Sequence, residues 1–128
     1  MRDAPTTWEA YCGAEHIAVR FPDGGTSLRA LTGVDKSEIP EPRVSVPNFN
    51  SISLFVKGTR LLSTEMALMK LSALKDLQMA PLPFESDAVT IYMVWHMRGA
   101  NDPAQIWLRR KVETIANGIM AQWASRDL

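Results

Sequence analysis

Apolar residues fall along this chain in short clusters whose spacing alternates between strand-like and helix-like. Thr6-Thr7-Trp8-Glu9 has a capping-box pattern, with Thr6 placed to accept from the amide of Glu9 and open a short helix that stops at Gly13. His16-Ile17-Ala18-Val19-Arg20-Phe21 reads as a strand, and Pro22-Asp23-Gly24-Gly25 as the turn that ends it. Thr26 and Ser27 are placed to cap a helix that carries Leu28 and Leu31 inward, with Gly33 near its end. Pro40-Glu41-Pro42 is a stiff connector before a strand over 43–46.

Asn48 or Asn50 is a natural N-cap for a helix running to about Lys57, with Gly58 at its C-terminal end. Leu61-Leu62-Ser63-Thr64 predicts a short buried strand, and helical spacing over 66–74 offers Met66, Met69, Leu71 and Leu74 for burial. Further strands are predicted over 77–82 and 88–96, the second rich in β-branched and aromatic residues. Asp102-Pro103 is a helix start, an N-cap followed by proline at the first helical position. That helix is expected to reach Trp123, with a weak point at Asn117-Gly118. Along it Leu108, Val112, Ile115, Ile119 and Trp123 form one apolar stripe.

Strands alternating with helices predict an α/β sandwich with a partly parallel sheet. In such sheets ligands sit beyond the carboxyl ends of the strands, near helix N-termini, and the turn Pro47-Asn48-Phe49-Asn50-Ser51 has that address.

Composition narrows the setting. A chain of 128 residues that is 46% hydrophobic and 22% charged suffices for one folded domain without disulfides or metal. Fourteen basic and fourteen acidic residues cancel, which disfavours binding nucleic acid by this chain itself. The single cysteine, Cys12, excludes an intramolecular disulfide. No apolar run approaches the roughly 20 residues of a membrane span, and the first residues lack the apolar core of a signal peptide. The expected setting is cytoplasmic, with no membrane partner.

Several stretches, in order, resemble the effector-binding (substrate-binding) domain of LysR-type transcriptional regulators. Thr7-Trp8-Glu9-Ala10-Tyr11 followed by His16-Ile17-Ala18-Val19 is similar to a helix and the first strand of that domain's second subdomain. Val46-Pro47-Asn48-Phe49 resembles its strand-to-helix turn, and Gly58-Thr59-Arg60-Leu61-Leu62-Ser63-Thr64 the turn and strand that follow. Pro81-Leu82-Pro83-Phe84, Val94-Trp95-His96 and the segment from Asp102 to Arg109 are similar to its end. The resemblance covers about 5–111.

It implies a periplasmic-binding-protein-like lobe, a mixed and mostly parallel sheet flanked by helices with a long C-terminal helix. The whole chain, 1–128, would be a single partial effector domain: 5–98 the second lobe, and 99–128 a helix packing on a first lobe. The implied function is non-enzymatic sensing of a small organic effector, a carboxylate or aromatic acid. DNA would be reached only through a helix-turn-helix domain that this sequence does not contain. The alternative is a stand-alone α/β oligomerisation module without a working ligand site.

Effector contacts are expected at Val46, Pro47, Asn48, Phe49, Asn50 and Ser51, with Thr26 and Ser27 at the mouth of the cleft. Amides and the helix dipole at this turn favour an anion, and Phe49 offers an apolar wall. Capping and turn formation alone would also account for Asn48, Asn50 and Ser51. The stripe from Leu108 to Trp123 is expected to pair with another copy, making a homo-oligomer.

Other chemistry finds little support. His16 and His96 with one cysteine give no metal-ligand spacing, and no cofactor is implied. Ser51 or Ser53 with His96 and Asp102 lacks a nucleophile elbow, so no catalytic residues are assigned. Pro22-Asp23-Gly24-Gly25-Thr26-Ser27 lacks the spacing and lysine of a P-loop. Cys12 reads as a packed residue, since no nearby cation would lower its pKa.

Overall fold

A computed structural model describes residues 4–32 and 38–125. The expected helix end at Gly33 lies outside the described residues. The chain divides into two compact units, Met1–Val89 and Thr90–Leu128.

In the first unit, α1 (Trp8–Cys12) is capped by Thr7, whose side chain accepts from the amide of Ala10. The cap is therefore one residue later than the capping box suggests, and Glu9 falls at the second helical position, too early to reach back. Two short parallel strands follow, β1 (Ile17–Val19) and β2 (Val44–Val46), with Ile17 opposite Val44 and Val19 opposite Val46. Between them lies α2 (Ser27–Thr32). Leu62 joins the other side of β1 through a parallel bridge, its carbonyl accepting from Ile17 at 3.0 Å and its amide donating to Glu15 at 2.9 Å. The strand expected over 61–64 is reduced to that one bridge.

β1 is therefore paired on both edges, and all three of its residues are buried. That is the environment a continuous apolar run in a parallel sheet calls for. Alternation sends its side chains to opposite faces. Ile17 and Val19 join Val46, Ile52 and Leu74 in one cluster; Ala18 joins Tyr11, Leu28 and Ile39 in the other.

The first cluster is closed by α3 (Ile52–Val56), entered through a 3₁₀ turn over Phe49–Ser51. Gly58 follows the helix with φ +76°, a conformation that favours glycine over other residues. The helix expected over 66–74 is a 3₁₀ segment, Ala67–Leu71, with Met69 packed against the core and Leu71 exposed, followed by a turn that carries the buried Leu74.

The second cluster is partly aromatic. Trp8 and Tyr11 each meet Phe84 edge-on, at 5.0 and 5.1 Å between ring centroids. No strand forms over 77–82; the segment is irregular, with Leu82 and Phe84 packed on this core.

The second unit contains an extended stretch, a 3₁₀ turn (Met97–Gly99) and α4 (Pro103–Ala124). Asp102 caps α4 by accepting from Gln105, with Pro103 at the first position, and the helix runs unbroken through Asn117 and Gly118. Arg109 donates to the carbonyls of Gly99 and Ala100 and stacks over Trp95, so the turn is fastened to the helix. His96 is structural: its Nδ1 accepts from the amide of Arg98. The strand expected over 88–96 does not form among the described residues. A strand needs a neighbouring backbone, and β propensity cannot supply one.

Ile52, fully buried, links α3 to the sheet. Ile52→Ala is expected to destabilise the first unit by about 2–5 kcal/mol, measured as a lower urea midpoint with unchanged slope.

Candidate functional site

β1 and β2 run parallel, and Leu62 bridges in the same sense, so three chain segments leave the sheet at one edge. After β1 comes Arg20, after β2 the Pro47 turn, and after Leu62 the run Ser63, Thr64 and Glu65. β1 lies in the middle, which puts the turn and Glu65 on opposite flanks.

At the end of β1, the amide of Arg20 donates to Val46 O at 3.0 Å, and its guanidinium donates to Ser45 Oγ and Gly24 O. This exposed cation stands beside β2 at the sheet edge. The loop that follows is a tight turn: Gly25 N donates to Asp23 Oδ1 at 2.9 Å, Gly24 N to Phe21 O at 3.0 Å, and Gly24 has φ +84°. Those amides are committed within the turn, so it is no phosphate cradle.

Thr26 and Ser27 are buried. Thr26 Oγ1 accepts from Arg29 N at 3.5 Å, a cap for α2. Ser27 Oγ accepts from Val19 N at 3.0 Å, taking an amide at the end of β1 beyond the Leu62 bridge.

At the Pro47 turn, Val46 is buried in the core, Phe49 is half-buried against it, and Pro47, Asn48 and Asn50 are exposed. Asn48 Oδ1 accepts from both the amide and the hydroxyl of Ser51, each at 3.0 Å. Two groups expected to meet a ligand are thus bonded to one another as a cap. What the turn still offers is the Asn48 Nδ2 amide, the backbone amides of Phe49 and Asn50, and the Phe49 ring.

Glu65 escaped the sequence reading. Its Oε1 accepts from Ser63 Oγ at 2.8 Å and from Ser27 Oγ at 3.4 Å. Oε2 is buried and has no partner among the described residues. Burial pushes the carboxyl up to about 7, and the hydrogen bonds from Ser63 and Ser27 only partly offset that rise. The signal available in sequence was weak: an acidic residue directly after a short apolar strand.

Two further titratable groups are structural. His16 Nε2 lies 2.8 Å from Tyr11 O, and burial lowers its pKa. Burial raises the Cys12 thiol, with Glu9 and Glu38 adding to the effect, so nothing here activates it. No cluster of three or more metal-ligating side chains occurs among the described residues, and no described helix is long and apolar enough to cross a membrane.

On α4, Leu108, Val112 and Ile115 are exposed, while Ile119 and Trp123 are half-buried. Upstream in the same unit, Ile91, Tyr92, Val94 and Trp95 are also exposed, Val94 at 87%.

No family model matches this sequence, and no curated protein matches it. A solved structure does: the regulatory domain of MexT, a transcriptional activator in Pseudomonas aeruginosa, with 24% sequence identity and a TM-score of 0.61. The match covers 88% of this chain and 53% of the other. The fold is shared. The α/β lobe with its small parallel sheet and long C-terminal helix is the architecture that the sequence resemblance implied. This chain spans about half the length of the regulatory domain it matches.

A carboxyl raised from 4.5 to about 7 binds more protons folded than unfolded between those values. Glu65 therefore costs stability as pH rises through that window, and the cost is constant above it. Glu65→Gln is expected to match wild type near about pH 4 and exceed it by about 1–2 kcal/mol near about pH 8, after allowance for partial solvation. Urea unfolding of both proteins across this range measures the difference, from which the opposing contribution of His16 cancels.

Proposed function

We propose that this chain is a ligand-sensing lobe of a LysR-type effector-binding domain, working without catalysis. The observation that carries the reading is the sheet edge where Arg20, the Pro47–Ser51 turn and Glu65 leave three adjacent strand positions. The shared fold with a transcriptional activator's regulatory domain supports it, as does the ordered set of sequence motifs.

The ligand is a small organic acid. Its carboxylate would take the Asn48 Nδ2 amide, the amides of Phe49 and Asn50 and the Arg20 guanidinium, with its carbon skeleton on Phe49. Val46 and Pro47 hold the turn in place, and Ser51 fixes Asn48 through the cap. Thr26 and Ser27, being buried, shape the edge from beneath. Regulation would follow from differential affinity of the ligand for two arrangements of lobes, read out by a DNA-binding domain in the same assembly inside the cell.

The second unit supports an assembly role. A largely apolar, uncharged stretch over 90–96 and the exposed residues Leu108, Val112 and Ile115 on α4 together resemble a strand and helix awaiting a sheet. With Ile119 and Trp123 they form the surface through which copies of the chain would associate.

Isothermal titration with benzoate is expected to show binding that Arg20→Ala and Asn48→Ala each weaken about tenfold, as loss of a charge-assisted hydrogen bond would. Titration of a wider set of small carboxylates and aromatic acids without heat or thermal stabilisation would defeat the sensing role. For assembly, light scattering is expected to report an oligomer at micromolar concentration that Ile115→Asp dissociates without loss of helicity; a wild-type monomer would sink this interface.

A further inference from the structure

We infer that the ligand of this sheet edge carries a basic nitrogen as well as an acid, and that Glu65 is the residue that receives it. The inference deepens the proposed function and rests on the edge being a ligand site.

The geometry is that of an incomplete hydrogen-bond set. Ser27 is fully buried and held by Val19 N, and Ser63 approaches Glu65 from two residues away in the chain. Both hydroxyls converge on Oε1, at 3.4 and 2.8 Å, and hold that oxygen in place. Oε2 is left buried with no partner among the described residues. A buried oxygen without a partner is costly, and native proteins keep few of them. Among the described residues no lysine, arginine or histidine is bonded to this carboxyl, so a cationic N–H donor brought by a ligand meets no competitor there.

Position supplies the second argument. Strands flanking a common neighbour lie roughly 10 Å apart. Glu65 follows the Leu62 bridge on one flank of β1, and the Pro47 turn follows β2 on the other. The edge therefore offers a cation, Arg20, and amide donors at one end and an acceptor at the other. A dipolar molecule with its charges several ångströms apart matches that order. A simple monocarboxylate leaves Glu65 unused.

The test compares para-(aminomethyl)benzoate with para-methylbenzoate, which share ring and carboxylate and differ by the ammonium group. Isothermal titration of the full chain near about pH 7.5 is expected to show the aminomethyl compound bound about tenfold more tightly, the gain from one charge-assisted hydrogen bond. Glu65→Gln should abolish most of that advantage, read as the ratio of the two affinities within the variant; circular dichroism verifies that the variant is folded. Equal binding of the two compounds to wild type, or an advantage that survives in Glu65→Gln, overturns the inference while leaving an acid site standing. Binding of neither compound also overturns the inference, while the sensing role falls only if the wider set of small carboxylates and aromatic acids fails as well.

Discussion

The first unit depends on the two-sided pairing of β1. Three residues, Ile17–Val19, receive β2 along one edge and the Leu62 bridge along the other, and their side chains start both apolar clusters. Strands this short hold little by themselves; burial of both faces keeps them in place. Because β2 and Leu62 both pair with β1 in parallel, the segments after them leave at one edge, and the candidate chemistry gathers there as a consequence.

Ser27 shows how packing and chemistry are coupled at that edge. β1 outlasts its Leu62 neighbour, and the amide of Val19 would be left without an acceptor. Ser27 Oγ supplies one, and the same oxygen reaches Glu65. A residue that completes the sheet thereby orients an acid. The raised pKa of Glu65, whose Oε2 has no partner among the described residues, comes from withdrawal from water without full compensation. The Asn48–Ser51 pair illustrates the opposite outcome: its hydrogen bonds are internally complete, so it shapes the turn and leaves only the Asn48 Nδ2 amide to spare.

Much of the local structure was legible because its causes are local. Caps, turns and helix starts rest on residues within a few positions of one another, as at Thr7, Asp23-Gly24-Gly25 and Asp102-Pro103. The reading failed where a distant partner decides. The stretch over 88–96 has strong strand propensity and no neighbouring backbone, so it stays extended and unpaired among the described residues. Met66, Met69, Leu71 and Leu74 are spaced for a helix, yet only Leu74 is buried, and it lies in a turn beyond a 3₁₀ segment that ends at Leu71. The Pro47 turn was visible as a candidate because turns carry signatures; Glu65 was not, because its surroundings depend on Ser27, 38 residues away.

By itself the sequence determined the alternation of elements, the turn chemistry at Pro47–Ser51 and the apolar stripe of α4, since each follows from periodicity and short-range hydrogen bonding. Tertiary structure alone decided that β1 is paired on both sides, that Ser27 is buried and that Glu65 bonds to it while its other oxygen is buried without a partner among the described residues. The physical reason is range. Hydrogen-bond satisfaction and burial are properties of groups brought together from far apart in the chain, and no local pattern records them.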